Sequence, residues 1–172
     1  LKDYATKAGV KGFVIGVSGG VDSGVVSTLC AMTGLKVLAL EMPIRQQKDQ
    51  VSRALEHIDF LKNKFPNVEG FTVDLNEPFE ALYKTFDVKD DEFPAEKLAF
   101  ANTRSRLRML TLYYYGQING LLVCGTGNKV EDFGIGFYTK YGDGGVDVSP
   151  IADLYKTEVY ALARALDLPE SI

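Results

Sequence analysis

One short stretch, SGGVDS at 18–23, combines the residue types that bind a nucleotide phosphate together with a metal ion. Its two glycines let the backbone come close enough to a phosphate for amide N–H groups to point at it. Its two serines add hydroxyl donors, and its aspartate adds a carboxylate of the kind that holds Mg2+ against phosphate oxygens. The candidate phosphate-binding residues are therefore Ser18, Gly19, Gly20, Asp22 and Ser23.

This stretch lies between two elements that would place it correctly. An apolar, largely β-branched run at 13–17 predicts a buried strand, and apolar residues at helical spacing predict a helix over about 22–32. A strand that enters a glycine-rich turn and then a helix places anions at the helix N-terminus. Two familiar phosphate motifs do not fit, because neither GxxxxGK(S/T) nor GxGxxG occurs at this turn.

A second turn of small residues, GTGNKVE at 125–131, follows an apolar strand pattern at 121–124. In open α/β sheets ligands bind outside the carboxyl ends of the strands, so this turn is expected to border the first one. Thr126 supplies a hydroxyl there and Glu131 a carboxylate. Because Mg2+ is usually held by one or two carboxylates together with phosphates, Glu131 is a candidate to complement Asp22 as a metal ligand.

The loop after the second predicted strand, at 42–49, is expected at the same edge of the sheet. A plain strand-to-helix connection and a nucleotide-binding loop are equally consistent with its sequence. If the loop binds a nucleotide, Gln47 and Arg45 are the best candidates for the contact.

A long predicted helix at 94–116 carries arginines at every second position between 104 and 108. Residues two apart diverge by roughly 200° around a helix, so these arginines cannot share a face. Asn102, Arg106, Met109 and Tyr113 do lie close to one side. The glycine-rich stretch at 134–147, which follows later in the chain, is a lid candidate.

The order of predicted elements indicates an α/β fold, with a doubly wound, mostly parallel sheet and helices on both faces. The strands are predicted at 13–17, 36–42, 71–75 and 121–124, and the main helices at about 22–32, 47–62, 78–86 and 94–116, with a last helix ending near 167. His57, the only histidine, has polar neighbours and is expected at the surface without a catalytic role. The charged segment at 88–94 is expected to be an exposed loop.

Composition limits the function classes. The 172 residues, 46% hydrophobic and 24% charged, fit a single globular domain, and a chain that begins with Leu is expected to lack residues at both ends. The net charge of −4 argues against a nucleic-acid binder, and no run of about 18 apolar residues indicates a membrane span. Cys30 and Cys124 lie in apolar patterns and are expected to be buried, reduced thiols of a cytoplasmic protein.

Several motifs together resemble a known family. The stretch SGGVDS resembles the pyrophosphate loop of the N-type ATP pyrophosphatases, which cut ATP between its α and β phosphates to adenylate a substrate. Adding GTGNKVE, GFYTKYGDGGVD at 136–147 and SPIADLYKTEVYALA at 149–163, nearly the whole chain resembles ammonia-dependent NAD synthetase. The resemblance implies an adenine-nucleotide α-hydrolase-like fold, a homodimer, and conversion of ATP, deamido-NAD and ammonia to AMP, pyrophosphate and NAD.

The resemblance also implies residue roles. For ATP it implies Ser18, Gly19, Gly20, Asp22, Ser23, Thr126, Lys156 and, more weakly, Gln47; for deamido-NAD it implies Arg106, Lys140 and Asp147; for Mg2+ it implies Asp22 and Glu131. Asp22 and Lys156 are the residues expected to carry catalysis. The chain departs from the family pattern at Arg45, where a small residue is common, and between Glu131 and Lys140, which is about one residue longer than in some members. The family also has binding positions beyond the end of this chain.

Other readings remain open. GMP synthetase shares the first loop, although KYGDGG and SPIADLYKTE count against it. A tRNA-thiolating enzyme would need accessible cysteines and a basic surface, whereas here both cysteines lie in apolar patterns and the net charge is −4. A nucleotide-binding module without chemistry would leave the two carboxylates unexplained. No residue here is typical of a covalent nucleophile and no glutaminase segment is present, so ammonia is the expected nitrogen source.

Overall fold

Parallel strands form the centre of the molecule, in the spatial order β3-β2-β1-β4. The strands are β1 Gly12–Gly16, β2 Lys36–Glu41, β3 Val68–Thr72 and β4 Leu121–Cys124. The structure, a computed structural model, describes residues 1–86, 88 and 93–172. Because β1 lies between β2 and β4, the chain winds outward through β2 and β3 and then returns across the sheet to β4. The switch in winding direction therefore falls between β1 and β4.

The helices are α1 Lys2–Lys7, α2 Val21–Met32, α3 Lys48–Lys64, α4 Asn76–Thr85, α5 Pro94–Asn119 and α6 Lys156–Ala165, with a π-helical turn at Val130–Gly134. None of the helices in the described ranges is long and apolar enough to span a bilayer.

The sheet is buried on both faces because its strands are apolar at successive positions. Phe13 and Ile15 of β1 face a core shared with α2, α3 and α6, whereas Val14 faces a second core shared with α4 and α5. Continuous apolar strands of this kind are typical of parallel sheets covered by helices on both sides. The predicted doubly wound α/β fold is confirmed.

The predicted position of the third strand is wrong by three residues. The pairing with β2 joins Val37 to Val68 and Glu41 to Thr72, so the strand begins and ends three residues before the predicted range 71–75. Its sequence hides it, because Gly70 packs so closely on α3 that a Cβ there would lie 2.5 Å from Ile58 Cγ2. A strand that needs a glycine against a helix lacks the apolar alternation by which strands are found.

The prediction that His57 lies at the surface is also wrong. His57 is fully buried between α3 and α2, and its Nε2 lies 2.9 Å from Ser27 Oγ. Since the Ser27 hydroxyl donates to Ser23 O, His57 Nε2 acts as the donor to Ser27. Its Nδ1 has no hydrogen-bond partner among the described residues, and burial lowers the pKa of His57 to about 4. Polar sequence neighbours misled the prediction, because on a helix they belong to other faces.

Two further element predictions end differently in the structure. The long helix α5 continues to Asn119, three residues beyond the predicted end, and closes at Gly120 in a left-handed conformation with φ of 67°. The segment predicted as an exposed loop at 88–94 falls largely outside the described residues.

The two cysteines are buried free thiols, as predicted. Cys30 of α2 and Cys124 of β4 face each other with their sulfurs 3.4 Å apart. The hydrogen bond with Cys124, followed by burial, raises the pKa of Cys30 well above its ordinary value. The Cys30 thiol is therefore held protonated, and both side chains act as packing groups of the core.

Candidate active site

The phosphate loop, residues 18–23, folds back on the first turn of α2 through its own side chains. Ser18 N donates to Ser23 Oγ at 3.2 Å, and the Ser23 hydroxyl donates to Gly20 O at 2.9 Å. The hydroxyls of Ser18 and Ser23 lie 3.1 Å apart, and Gly20 is the N-cap of α2. The loop therefore surrounds a helix N-terminus, whose free N–H groups and dipole favour an anion.

Gly19 meets two requirements that no other residue type meets as well. Its φ is 78°, in the left-handed region that favours glycine. A Cβ at this position would also lie 2.8 Å from Gln50 O and 3.0 Å from Ala54 N, both in the backbone of α3. The loop therefore rests directly on α3, which closes it from one side.

Three charged side chains meet beside this loop. The Lys156 ammonium, in the first turn of α6, forms an ion pair with Asp22 Oδ2 in α2 and a second, at 3.3 Å, with Glu131 Oε1 in the π-helical turn. Burial alone would lower the pKa of Lys156, but the hydrogen bond and charge of Asp22, together with Glu131, outweigh it and raise the pKa. The structure thus brings together residues that lie 25 and 134 positions apart from Lys156 in the sequence.

Asn128 connects this cluster to the backbone and was missed by the sequence reasoning. Its side chain is fully buried, and its Nδ2 donates to Asp22 Oδ1 at 3.0 Å. Its Oδ1 accepts from the N–H groups of Val130 and Glu131 at 3.0 and 3.2 Å. Asn128 therefore ties the Asp22 carboxylate to the backbone of the turn that carries Glu131. The signal was an amide within GTGNKVE, a motif that was used only for its hydroxyl and carboxylate.

The carboxylates of Asp22 and Glu131 fit the ligand set expected for Mg2+ bound together with a nucleotide. Both already hold one cationic group between them, the Lys156 ammonium. No group of three or more His, Cys, Asp or Glu side chains arranged to hold a metal by themselves occurs in the described ranges. An ion here would depend on phosphate oxygens for its other ligands, as Mg2+ commonly does.

A pocket opens between the carboxyl ends of β1 and β4, at the switch in winding direction, where open α/β sheets bind ligands. Its walls include Gly16, Ser18, Gln46, Ser105, Arg108, Met109, Thr126 and Asp143. Of the residues predicted to contact a nucleotide, Ser18 and Thr126 line the pocket. Gln47 does not: it is exposed at the N-cap of α3, while its neighbour Gln46 lines the wall.

The 139–147 segment forms the opposite side of the pocket and is fastened to α5. Ser105 Oγ donates to Asp143 Oδ1 at 2.6 Å, and Asp143 Oδ1 also accepts from Thr139 N at 3.0 Å. The Thr139 hydroxyl donates to Asn102 Oδ1 at 2.8 Å. One turn of α5, which carries Asn102 and Ser105, therefore holds the middle of the predicted lid in place.

The predicted substrate contacts lie along the same side of α5. Arg106 Nε donates to Lys140 O at 3.1 Å, and the Lys140 ammonium lies 5.0 Å from the Tyr141 ring centre. Asp147 accepts from Tyr113 OH at 2.9 Å and from Val123 N at 2.8 Å. Burial, then the hydrogen bond and charge of Asp147, raises the pKa of Tyr113 to about 12. The shared helix face predicted for Asn102, Arg106, Met109 and Tyr113 is confirmed, because three of them bond the 139–147 segment and Met109 lines the pocket beside it.

Comparison with known proteins gives a consistent picture. The family model described as NAD synthase matches residues 1–172. The NH(3)-dependent NAD(+) synthetases of Finegoldia magna and Carboxydothermus hydrogenoformans are 39% and 42% identical over 173 residues, covering all of this chain and 67% and 68% of theirs.

Solved structures agree. An NMN synthetase from Francisella tularensis has a TM-score of 0.88 and 36% identity, covering all of this chain and 68% of its own. An NH3-dependent NAD synthetase from Campylobacter jejuni, in complex with the nitrate ion, has a TM-score of 0.85 and 34% identity, covering 98% of this chain and 69% of its own. The chain thus spans about two thirds of the length of each of these four relatives.

Proposed function

Because the chain belongs to the NAD synthase family, we propose that it amidates the nicotinate carboxylate of deamido-NAD, using ATP and ammonia, to give NAD, AMP and pyrophosphate. The observation that carries the proposal is the ion-paired cluster of Asp22, Lys156 and Glu131 beside the phosphate loop. A pure nucleotide binder has no need for two carboxylates and a lysine brought together at the phosphate end of its pocket.

The reaction takes place in two displacements. A carboxylate is a poor electrophile, so one of its oxygens first attacks the α-phosphorus of ATP, and the bond to the pyrophosphate oxygen breaks. Ammonia then attacks the carbonyl carbon of the acyl adenylate, the bond to the AMP oxygen breaks, and the added nitrogen loses one proton to give the amide. The first displacement builds negative charge on phosphate oxygens, and the second builds it on the carbonyl oxygen and then on the departing AMP. Electrostatic stabilisation is therefore the main task of the protein.

The phosphate loop supplies the first part of that stabilisation. The N–H groups at the start of α2 and the hydroxyls of Ser18 and Ser23 bind the departing pyrophosphate, with Gly19 and Gly20 allowing its close approach. Thr126 adds a hydroxyl from the other wall of the pocket. Gln47 is exposed and does not line the pocket, so in this proposal it contacts only a part of the nucleotide that extends out of the pocket.

Lys156 supplies the second part. Its raised pKa keeps it protonated over the physiological range, so it can donate to a phosphate oxygen without losing its charge. Asp22 and Glu131 would hold Mg2+, which when bound neutralises phosphate oxygens and makes pyrophosphate a better leaving group. Asn128 holds the Asp22 carboxylate against the backbone of the turn that carries Glu131.

Arg106, Lys140 and Asp147 bind the deamido-NAD in this proposal. Their support is their position: Arg106 lies on α5, and Lys140 and Asp147 lie in the segment that α5 anchors, next to residues that line the pocket. Arg106 and Lys140 offer positive charge to the dinucleotide phosphates, while Asp147, already held by Tyr113 and Val123, offers an acceptor in a fixed place.

The protein is proposed to work as a cytoplasmic homodimer with small-molecule partners only. A stripe on α5, formed by Leu110, Tyr114 and Ile118, is 69%, 60% and 60% exposed. Residues four apart share a helix face, so the stripe offers a continuous apolar surface to a second copy. The buried free thiols Cys30 and Cys124 support a reducing compartment.

A second acceptor has a specific observation in its favour. The similar structure from Francisella tularensis is an NMN synthetase, so nicotinate mononucleotide is an alternative to deamido-NAD as the amidated acid. The chemistry at the carboxylate is the same for both.

Product analysis with parallel acceptors tests the proposal. The protein is incubated with Mg-ATP and ammonium, and with deamido-NAD, nicotinate mononucleotide or xanthosine monophosphate. NAD formation from deamido-NAD at the highest kcat/KM is expected. A higher kcat/KM for the mononucleotide would identify an NMN synthetase, amidation of xanthosine monophosphate would identify a GMP synthetase, and ATP binding without pyrophosphate release would identify a binding module.

A further inference from the structure

Arg45, at the carboxyl edge of the sheet, points away from the pocket and binds Glu80 of α4. Its Nε donates to Glu80 Oε1 at 2.6 Å and a terminal nitrogen donates to Glu80 Oε2 at 2.9 Å, which is a two-pronged pair. The guanidinium also lies 4.6 Å from the ring centre of Tyr83 and 5.2 Å from that of Phe79. Arg45 is therefore not the nucleotide contact that its position in the sequence indicates.

The backbone at Arg45 is held in an unusual conformation. Its φ is 50°, in the left-handed region that side chains other than glycine adopt uncommonly. Arg45 N donates to Asn76 Oδ1 at 2.7 Å, and Leu75 N donates to Pro43 O at 3.1 Å. Such a conformation persists only where neighbours hold it, and here the start of α4 holds it on both sides.

The reversal at Arg45 sends the next side chain, Gln46, into the pocket wall. There Gln46 Oε1 accepts from a terminal nitrogen of Arg108 at 3.3 Å, and Arg108 Nε donates to Met42 O at 3.0 Å. With its oxygen occupied by Arg108, the amide of Gln46 presents its N–H donors to whatever fills the pocket.

We infer that Arg45 is a positioning residue for nucleotide binding, which acts by gripping Glu80 so that Gln46 contacts the ATP in the pocket. The inference rests on the ATP-dependent function proposed above. Arg45 and Glu80 are 41% and 38% exposed, and exposed ion pairs contribute little to global stability. Loss of the pair therefore appears in ATP binding rather than in unfolding, which separates a positioning role from a structural one.

A double-mutant cycle tests this, using titration calorimetry of Mg-ATP into the protein without deamido-NAD or ammonium. We expect Gln46→Ala to weaken Mg-ATP binding about tenfold and Glu80→Gln about fivefold, while the double variant is no weaker than Gln46→Ala, since both changes remove the same contact. Glu69→Gln is the matched control, because Glu69 makes an exposed ion pair with Lys36 at the opposite end of β2. It is expected to bind like the wild type, and both Glu→Gln variants to melt within a few degrees of it.

Two results would overturn the inference. One is an unchanged Mg-ATP affinity in Glu80→Gln, and the other is a double variant whose loss of Mg-ATP affinity equals the product of the two single losses. A wild-type protein that binds Mg-ATP and forms no amide product would contradict the proposed function. The double-mutant cycle would then still test whether Arg45 positions Gln46, since it measures only Mg-ATP affinity. A wild-type protein that does not bind Mg-ATP would contradict both.

Discussion

The phosphate loop and the 139–147 segment form facing sides of one pocket, but they are held in different ways. The turn of the loop is closed by bonds between residues no more than five positions apart, such as those of Ser18 and Ser23, and long-range contacts are added at Gly19 and Asp22. The 139–147 segment is held by α5, through bonds that span 34 to 38 positions. One side follows from local sequence, whereas the other exists only once the chain has folded, so the two are expected to fail in different ways.

Removing Lys156, which lies where the loop meets the later part of the chain, has the largest expected effect. We predict that Lys156→Ala lowers kcat for pyrophosphate release by about a thousandfold, because a charge that stabilises the transition state is lost. Lys129→Ala is the matched control, since Lys129 lies over the Tyr155 ring and makes no ion pair with Asp22 or Glu131 among the described contacts. Equal activity of the two variants would exclude Lys156 from catalysis.

Low pH is predicted to lower the free energy of unfolding through His57, which is buried against α2 and hydrogen-bonds Ser27 there. The folded protein keeps His57 neutral down to its pKa of about 4, whereas the unfolded chain takes up a proton below about 6.5. The unfolded state therefore binds more protons in this window, and stability falls as pH falls from 6.5 to 4, by about 3 kcal/mol.

Urea unfolding of the wild type and of His57→Gln at pH 7, 5.5 and 4 measures this contribution. The wild type is expected to lose more stability than the variant between pH 6.5 and 4. Parallel losses would mean that His57 does not titrate as its burial requires.

Two glycine substitutions separate backbone strain from contact with α3. Gly19 and Gly34 have similar φ values, 78° and 74°, but a Cβ at Gly34 would meet nothing within 4 Å. We predict that Gly34→Ala costs about 1 kcal/mol and Gly19→Ala about 2 kcal/mol or more, since only the second also collides with a helix backbone. Chemical denaturation gives both values. An equal loss of unfolding free energy in the two variants would show that α3 moves away from a Cβ at position 19 without measurable loss of stability.

An effect smaller than that of Gly19→Ala is expected on the other side of the pocket. Asp143→Ala removes the acceptor that joins Thr139 to Ser105. We predict about a tenfold rise in KM for deamido-NAD with KM for ATP within twofold, because a change of one hydrogen-bonded anchor corresponds to about 1.4 kcal/mol. Steady-state kinetics with each substrate varied in turn separates the two, and Asp153→Ala, at another exposed aspartate, is the control. A rise in KM for ATP instead would mean that the two sides are not independent.

The sequence predicted what local rules determine. The strand, the turn and α2 follow from an apolar run, small residues and helical spacing, so this strand-turn-helix arrangement is predictable from sequence and is confirmed. The shared face of Asn102, Arg106 and Tyr113 followed from helical periodicity in the same way.

What depends on long-range packing was not predictable. Nothing near Asn128 in the sequence indicates that Asp22 lies beside it, and nothing near Arg45 indicates a partner in α4. His57 is buried because α2 packs over it, and β3 is displaced because Gly70 fits against α3. In each case the deciding neighbour lies 30 or more positions away or on another element.

The central claim is that this edge of the sheet activates a carboxylate by adenylation before ammonia reacts. Exchange of labelled pyrophosphate into ATP tests it most directly, with Mg2+ present and ammonium omitted. The account predicts exchange that requires deamido-NAD and falls to background in Lys156→Ala. Exchange that occurs without deamido-NAD would contradict a separate adenylation step. So would the absence of exchange with deamido-NAD, if the same preparation forms NAD once ammonium is added.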